Sequence, residues 1–371
     1  PYTASGFAAC GKLFASLFGV KYLPAMIISA LVIVGYTTLG GFLAASTTDF
    51  IQSIIMSVAL IVVLIFGVET AGGIGAVIHN ASELPGYLSM TLSYDVNTGN
   101  AAPYSALTIV STAAWGLGYF GMPHILLRFM AIEDEKKLKL SRRVATIWVV
   151  ISLFVAVFIG VIGYTMSKVG ALEMLTGSNS ETIIVKISAL LSQHGVIFAL
   201  LAGVILAGIL ASTMSTSDSQ LLAASSAVSS DILGAFRKDS SNKNGSMAAA
   251  RITLLVISVV AAFIARNPDS SVFAIVSFAW AGFGAAFGPV VLFSLFWKRT
   301  NKWGALAGMV CGGSMVFIWK YLIRPLGGIW NIYELLPAFL IACAAIVIVS
   351  LLTPKPSKEI EEEFDRVAQM K

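Results

Sequence analysis

Apolar runs of about twenty residues follow one another along the chain, separated by short polar breaks. Ten such segments are predicted, at about 1–20, 23–45, 49–68, 105–130, 144–168, 195–228, 248–265, 271–297, 303–322 and 334–352. The runs are continuous rather than alternating, which selects helices over the strands of a barrel. A polar stretch rich in Pro, Gly and Asn, residues 69–104, reads as a long loop. Ahead of the sixth segment, Ile183, Ile184, Ile187, Leu190 and Leu191 recur with a helical period and predict a short amphipathic helix. The expected organisation is a transmembrane region over 1–353 and a charged tail over 354–371.

Composition agrees with that pattern. The chain has 371 residues, 57% of them hydrophobic and only 12% charged, which is about half the usual charge of a soluble domain. Its mean hydropathy is +0.87. Lipid cannot satisfy backbone polar groups, so a polytopic helical membrane protein is the class predicted. Cys10, Cys311 and Cys343 are far apart, and the three histidines are scattered, so neither a zinc site nor a disulfide framework is indicated. A net charge of +5 is ordinary for such a protein and gives no reason to expect nucleic acid. No Walker-type phosphate loop is present. The chain opens on "PYTASGFAACGKLF", already apolar and with no signal-like start, as if inside a transmembrane helix with earlier segments lacking.

Lys and Arg set the orientation. "EDEKKLKLSRR" carries Lys136, Lys137, Lys139, Arg142 and Arg143. Two segments later come Arg237, Lys238 and Lys243, two more bring Lys298, Arg299 and Lys302, and the tail adds Lys355 and Lys358. These alternate correctly and are all expected on the cytoplasmic side. Arg266, Lys320 and Arg324 oppose them on the other face.

Two acids stand out at membrane depth, where an ionisable group is costly and points to function. Asp218 lies well inside the sixth segment, and Asp49 at the start of the third. Both are expected toward the cytoplasmic side. Around Asp218 runs "ILASTMSTSDSQLL", residues 209–222, with six hydroxyl side chains. At about 100° per residue, Ser212, Ser215, Thr216 and Ser219 share one helix face. Neutral hydroxyls suit a small hard cation such as sodium when unwound backbone carbonyls complete its shell. They also let helices approach and hydrogen-bond to each other. Asp49 at a similar depth favours the ion site. Asp218 is open to two readings, a cation ligand or a carboxylate solvated in a cytoplasmic vestibule.

A second constellation is "AWGLGYFGMPHI", residues 114–125. Gly116, Gly118 and Gly121 weaken the helix, and Pro123 deprives the carbonyl of Tyr119 of its partner. A broken helix at membrane depth points to a transporter's substrate site. Trp115 and Tyr119, four apart on one helix, would share a face and could flank a small ring or aliphatic solute. The alternative is a kinked packing helix with interfacial aromatics. Gly284 and Gly288 have small-xxx-small spacing and read as close helix packing, with Pro289 a candidate kink.

Together "GGFLAASTTDFIQ" (40–52), "WGLGYFGMPHI" (115–125), "ILASTMSTSDSQLL" and "SFAWAGFGAAFGPVVLFSLFW" (277–297) resemble the sodium:solute symporter family over nearly the whole chain. Within it the Trp-Gly-Leu-Gly-Tyr run with its downstream proline resembles the bacterial sodium/proline symporters. The resemblance implies an all-α polytopic bundle with an inverted-repeat core of five plus five helices, here N-terminally truncated. It implies sodium bound by the hydroxyls of Ser215 and Thr216 and the carbonyl of Ser212, with Asp49 on the cytoplasmic sodium path. Trp115, Tyr119 and Pro123 match the proline-site region, and Tyr2 falls where proline carriers place a further site tyrosine.

Three departures are visible. The family's first three segments, which supply the other unwound helix, would be missing, leaving this stretch alone unable to transport. Met122 stands where close proline carriers have Gln. Asp218 replaces a residue that is more often uncharged, and is a candidate second cation site. The expected function is sodium-coupled import of proline across the bacterial cytoplasmic membrane. The nearest alternative is a sodium symporter for another small carboxylate or amino acid. A membrane-embedded enzyme would want a His, Cys or acid cluster, and only His124 lies near a candidate site. A sensor or scaffold is disfavoured by a tail that is short and solvated. The sodium ion, a small solute and the lipid bilayer are the partners implied; oligomeric state is not encoded legibly.

Overall fold

A computed structural model of the protein describes residues 1–232, 243–269 and 271–369. Arg237 and Lys238, counted above as cytoplasmic charges, lie outside the described residues. In chain order the helices are α1 Tyr2–Phe18, α2 Tyr22–Thr70, α3 Ile74–Ser82, α4 Ala106–Ala113, a 3-10 helix Ala114–Gly121, α5 Pro123–Met130, α6 Leu138–Lys168, α7 Ile183–Ser192, α8 Val196–Ser226, α9 Lys243–Ile264, α10 Val272–Phe296, α11 Lys302–Ile318, α12 Leu335–Leu352 and α13 Lys358–Gln369. A small hairpin, β1 Leu92–Asp95 and β2 Asn100–Pro103, precedes α4.

Eight helical stretches among the described residues are long and apolar enough to cross a membrane. They account for eight of the ten predicted segments. Of the other two, the first is α1, 17 residues long and closed by Gly19 in the left-handed conformation, whose N–H reaches the carbonyl of Ala15 at 3.1 Å. The fourth is the broken run α4, 3-10 helix and α5. Long apolar side chains stand exposed on the spans. On α6 Val150, Phe154 and Val157 are open while Val155, Ile159, Ile162 and Met166 are buried, so one face meets lipid and the other protein.

Two sequence-based expectations need correcting. Residues 69–104 are not a bare loop: α3 buries Val77 and Ala81 against α6, and the hairpin closes through Asp95, which accepts from the amide of Asn97 at 2.9 Å and the hydroxyl of Thr98 at 3.0 Å. The break predicted between the second and third segments is helical, so that α2 is one element of 49 residues. It is nonetheless not straight. Tyr36 bonds Asp218, and Gly208 packs on Ala59. A straight helix would separate Tyr36 from Ala59 by about 35 Å, whereas Gly208 and Asp218 lie about 15 Å apart along α8. The side chains do not make up the difference, so α2 turns between Tyr36 and Ala59 and lays both arms on three turns of α8.

The chain forms two compact units. The first comprises Pro1–Ser89, Tyr94–Ala101 and Ile132–Val276. It has two apolar cores. One joins α1, the first arm of α2, the C-terminal part of α8 and α9 through Phe7, Met26, Ile33, Leu221 and Leu254. The other joins the second arm of α2, α3, α6, α7 and the N-terminal half of α8 through Val63, Ile159, Ile162, Ile187 and Ile205. Glu181, ahead of α7, binds Lys12 at 2.8 Å and accepts from Ser271 and from the amides of Val272 and Phe273 at the start of α10. Burial raises its carboxyl, but these donors prevail and hold it below the usual range.

The second unit comprises Met90–Ser93, Ala102–Ala131 and Ser277–Lys371. It is built on glycine. A Cβ at Gly304, Gly308 or Gly312 of α11 would strike Ser350, Ile346 or the carbonyl of Ala285 within 2.5 Å, so α11, α12 and α10 approach backbone to backbone. The small-residue reading of Gly284 and Gly288 holds: a Cβ there would lie 2.7 Å from Gly118 and 2.8 Å from Phe339. Pro289 is accommodated inside α10.

Lys320 and Arg324 ran against the charge rule because they are not loop charges. Glu334, 1% exposed at the start of α12, receives Arg324 at 2.9 Å and has Lys320 at 3.9 Å. Both cations keep solvent access, Lys320 at 29% and Arg324 at 41% side-chain exposure, so removing the carboxylate leaves them partly solvated. Glu334→Ala is expected to cost about 1–3 kcal/mol, read as a lowered thermal unfolding midpoint in detergent; an unchanged midpoint would mean the pair is effectively solvated.

Candidate functional site

The hydroxyl-rich stretch sits in the C-terminal part of α8, within the first unit. Most of its hydroxyls turn back onto their own helix. Ser212 and Thr213 both donate to the carbonyl of Ile209, at 2.8 and 2.9 Å, and Ser217 donates to Thr213 at 2.9 Å. Such bonding satisfies a hydroxyl where no water is present. Thr216 donates to the carbonyl of Ser212 at 3.1 Å. Two of the three oxygens that the family resemblance assigns to sodium are therefore already adjacent. Ser215, half-buried and three residues on from Ser212, shows no such bond among the described residues, and Ser219 turns to the carboxylate of Asp218. Ser212, Ser215 and Thr216 thus offer oxygens from one face of α8.

Not every hydroxyl belongs to that set. Ser217 is buried against Gly6 of α1, where a Cβ would come within 1.9 Å of its oxygen. Its role is close helix approach, the structural alternative that the sequence left open.

Asp218 is fully buried. This removes the solvated-vestibule reading. Its Oδ2 accepts from the phenol of Tyr36 at 2.8 Å, and Ser219 lies at 3.4 Å from its other oxygen. The Tyr36 hydroxyl also lies 3.3 Å from the carbonyl of Met214. Asp49, half-buried on α2, interacts electrostatically with both Tyr36 and Asp218. The two acids singled out from the sequence are thus brought into one neighbourhood by the turn of α2. Gln52, one turn beyond Asp49, buries a side-chain oxygen with no hydrogen-bond partner among the described residues.

Tyr36 was missed by the sequence reading. Its signal was present: a phenol inside the apolar run "VIVGYTTLGG" must find an acceptor or reach an interface.

The second candidate region lies in the second unit and differs from its prediction. Residues 114–121 form a 3-10 helix, with three residues per turn. Positions four apart lie about 120° from each other on such a helix, yet Trp115 and Tyr119 both meet Trp280. Pro123 does not kink a continuing helix; it opens α5 at the first turn, where its missing N–H is no loss. Met122 caps α5, its carbonyl accepting from Ile125 and Leu126, and its side chain is fully buried.

The glycines here serve approach as much as flexibility. A Cβ at Gly118 would lie 1.9 Å from the indole nitrogen of Trp280, and one at Gly121 would lie 2.4 Å from the carbonyl of Phe283. The close fit builds an aromatic stack. Trp115 lies between two near-parallel neighbours, Trp280 with centroids 5.3 Å apart and Tyr333 with centroids 5.9 Å apart. Trp280 donates its indole N–H to the carbonyl of Trp115 at 2.9 Å, which satisfies a carbonyl of the broken helix. Tyr119 meets Trp280 edge-on at 4.8 Å and keeps 41% of its surface exposed. Tyr333 fixes the other side: its amide donates to Ser111, its phenol to the carbonyl of Ser277. Of the aromatic pair, Tyr119 is the more exposed, and Trp115 is half-buried in the stack. Tyr2, on the first unit, opens α1 and is half-buried; its carbonyl accepts from Ser5.

Spanning helices, a broken segment and an oxygen-rich helix turn define a polytopic membrane transporter. Residues 1–312 match the sodium:solute symporter family, and the chain belongs to that family. It is 38% identical to an osmoregulated proline transporter of Bacillus subtilis, over 96% of this chain and 69% of that one. It is 39% identical to a sodium/proline symporter of Haemophilus influenzae, over 98% of this chain and 71% of the relative. Its fold matches a solved Na+-coupled sialic acid symporter in a substrate-bound outward-open state, with a TM-score of 0.71 over 96% of this chain and 75% of the other, at 17% identity. The all-α polytopic transporter fold expected from the sequence is therefore the one found.

Tyr36 and Asp218 make a coupling testable by a double-mutant cycle. Tyr36→Phe is expected to lower stability by about 1–3 kcal/mol, because a buried carboxylate loses a donor. In an Asp218→Leu background the same change should cost far less. Equal costs in both backgrounds would show that the bond contributes nothing.

Proposed function

We propose that the protein couples the inward flow of sodium to the import of proline across the cytoplasmic membrane of a bacterium. The observation that carries this reading is the set of three oxygens on one face of α8, the carbonyl of Ser212 and the hydroxyls of Ser215 and Thr216, in a chain that shares more than a third of its residues with sodium/proline symporters over nearly its whole length. Sodium is a small hard cation that neutral oxygens can bind without a full counter-charge, which suits a helix lined with hydroxyls. Thr216 has only to rotate its proton away from the Ser212 carbonyl for both oxygens to face a cation. Asp49 stands on the ion's cytoplasmic path. Asp218, held by Tyr36, offers a carboxylate to a second cation.

The solute is held at the broken segment. Tyr119 supplies an exposed ring, Trp115 and Trp280 fix that ring from behind, and Pro123 with Met122 sets where α5 begins. Tyr2, on the first unit, is a further candidate by the family resemblance alone. No bond of the solute is made or broken, and the work is done by differential binding. Sodium favours the state in which the solute site is ordered. By linkage, proline must raise the affinity for sodium by the same factor. Alternating exposure of the site to the two sides then moves both inward.

Ser215→Ala and Thr216→Ala, made in the full-length protein, are the direct variants. Each is expected to raise the sodium concentration for half-maximal proline uptake by about tenfold or more, as loss of about 1.4 kcal/mol of binding requires. Expression and thermal stability should stay near wild type. A sodium dependence unchanged in both variants would contradict the ion site, and sodium-dependent uptake of a different solute in preference to proline would overturn the cargo.

A further inference from the structure

Outside the transport machinery, the first unit carries an open groove of about 470 Å³ between the second arm of α2 and the start of α6. Its walls are Phe50, Ile132, Leu140, Val144, Ala145 and Trp148, with Ser53 and Ser141 between them and Lys137 at its mouth. Lys137, Ser141, Val144 and Trp148 recur at helical spacing, so the groove runs along one stripe of the helix for about three turns. Trp148 is not free to fill it. Its indole N–H donates to the hydroxyl of Ser57 at 3.0 Å, which pins the ring from α6 to α2 as a wall.

Charge is concentrated at one end only. Lys136, Lys137, Lys139, Arg142 and Arg143 are all exposed within two turns of the mouth, while the rest of the lining is apolar or neutral. Glu133, Asp134 and Glu135 precede them and leave the stretch net positive. Lys137 lies 3.5 Å from Glu133, but both side chains are largely exposed, and such a pair yields readily to a stronger partner. The Lys and Arg distribution puts this end at the cytoplasmic leaflet. Trp148 sits about three turns deeper, at the level of the acyl chains.

We propose that this groove is a binding site for an anionic phospholipid of the cytoplasmic leaflet. One acyl chain lies against Leu140, Val144 and Trp148, and the phosphate meets Lys137 with Arg142 and Arg143 nearby. A free phosphate has no use for the apolar walls. A zwitterionic lipid fits the walls equally but gains little from the basic end, where each Lys or Arg near an anionic headgroup contributes about 1 kcal/mol.

Trp148 is a built-in reporter. The protein is reconstituted in nanodiscs of phosphatidylcholine containing a small fraction of either brominated-acyl phosphatidylglycerol or brominated-acyl phosphatidylcholine. The Trp148 share of the fluorescence is the difference between wild type and Trp148→Phe. The expected result is half-maximal quenching of that share at a mole fraction at least about fivefold lower for the anionic lipid, the factor that one such charge supplies. Lys137→Gln with Arg142→Gln and Arg143→Gln should abolish the preference without changing proline uptake in its sodium dependence. Equal quenching by both lipids, or a preference that survives the triple substitution, would overturn the site. A preference erased by millimolar inorganic phosphate in wild type would assign the charge cluster to a free anion and overturn it as well. Should Trp148→Phe fail to fold, retention of phosphatidylglycerol over phosphatidylcholine by native mass spectrometry, compared between wild type and Lys137→Gln, decides the same question.

Discussion

A carboxylate with no exposed surface, inside a protein whose outer face is hydrocarbon, must be given a partner. Asp218 has one in Tyr36, and much of the first unit follows from that bond. To reach Asp218, the first arm of α2 must lie against the C-terminal part of α8. To bury Ala59 and Val63 against Gly208 and Ile205, the second arm must lie against the preceding turns of the same helix. A single helix of 49 residues meets both demands only by turning around α8. That turn also carries Asp49 into the electrostatic neighbourhood of Asp218. The oxygens proposed for sodium lie on the same stretch of α8, two to six residues before Asp218. A cation there and the acids beside it would therefore feel each other directly, with little water to screen them.

The second unit solves a different problem, that of placing a helix break at membrane depth. Freed carbonyls and a weakened backbone are tolerable where other protein groups satisfy and cover them. Trp280 does both, by bonding the carbonyl of Trp115 and stacking on its ring. Gly118 and Gly121 admit α10 closely enough for this to happen. Tyr333, next to the buried Glu334, ties the loop before α12 to Ser111 and Ser277 and closes the stack from the other side. The region proposed to hold solute is thus a covered shelf on which Tyr119 keeps an exposed ring.

Much of this was legible in the sequence. Apolar runs and the Lys and Arg distribution yielded the helical membrane class and the span positions, because bilayer thickness imposes one dominant length. The hydroxyls and acids of α8 stood out because polar groups are rare there. What escaped depended on partners far along the chain. Nothing near Ser217 says that it faces Gly6, while Ser215 remains available. Tyr36 and Asp218 are 182 residues apart. The 3-10 turn that carries Trp115 and Tyr119 escaped because 3.6 residues per turn was assumed where three nearby glycines allow a tighter helix. Lys320 and Arg324 looked like exceptions to the charge rule until Glu334 was seen to absorb them.

The most direct test of the account is uptake of labelled proline by the full-length protein reconstituted in proteoliposomes, with and without an inward sodium gradient and in the presence of a proton uncoupler. The account predicts accumulation of proline only when sodium is driven inward, undiminished by the uncoupler. Accumulation that ignores sodium, or that collapses with the proton gradient, would contradict it.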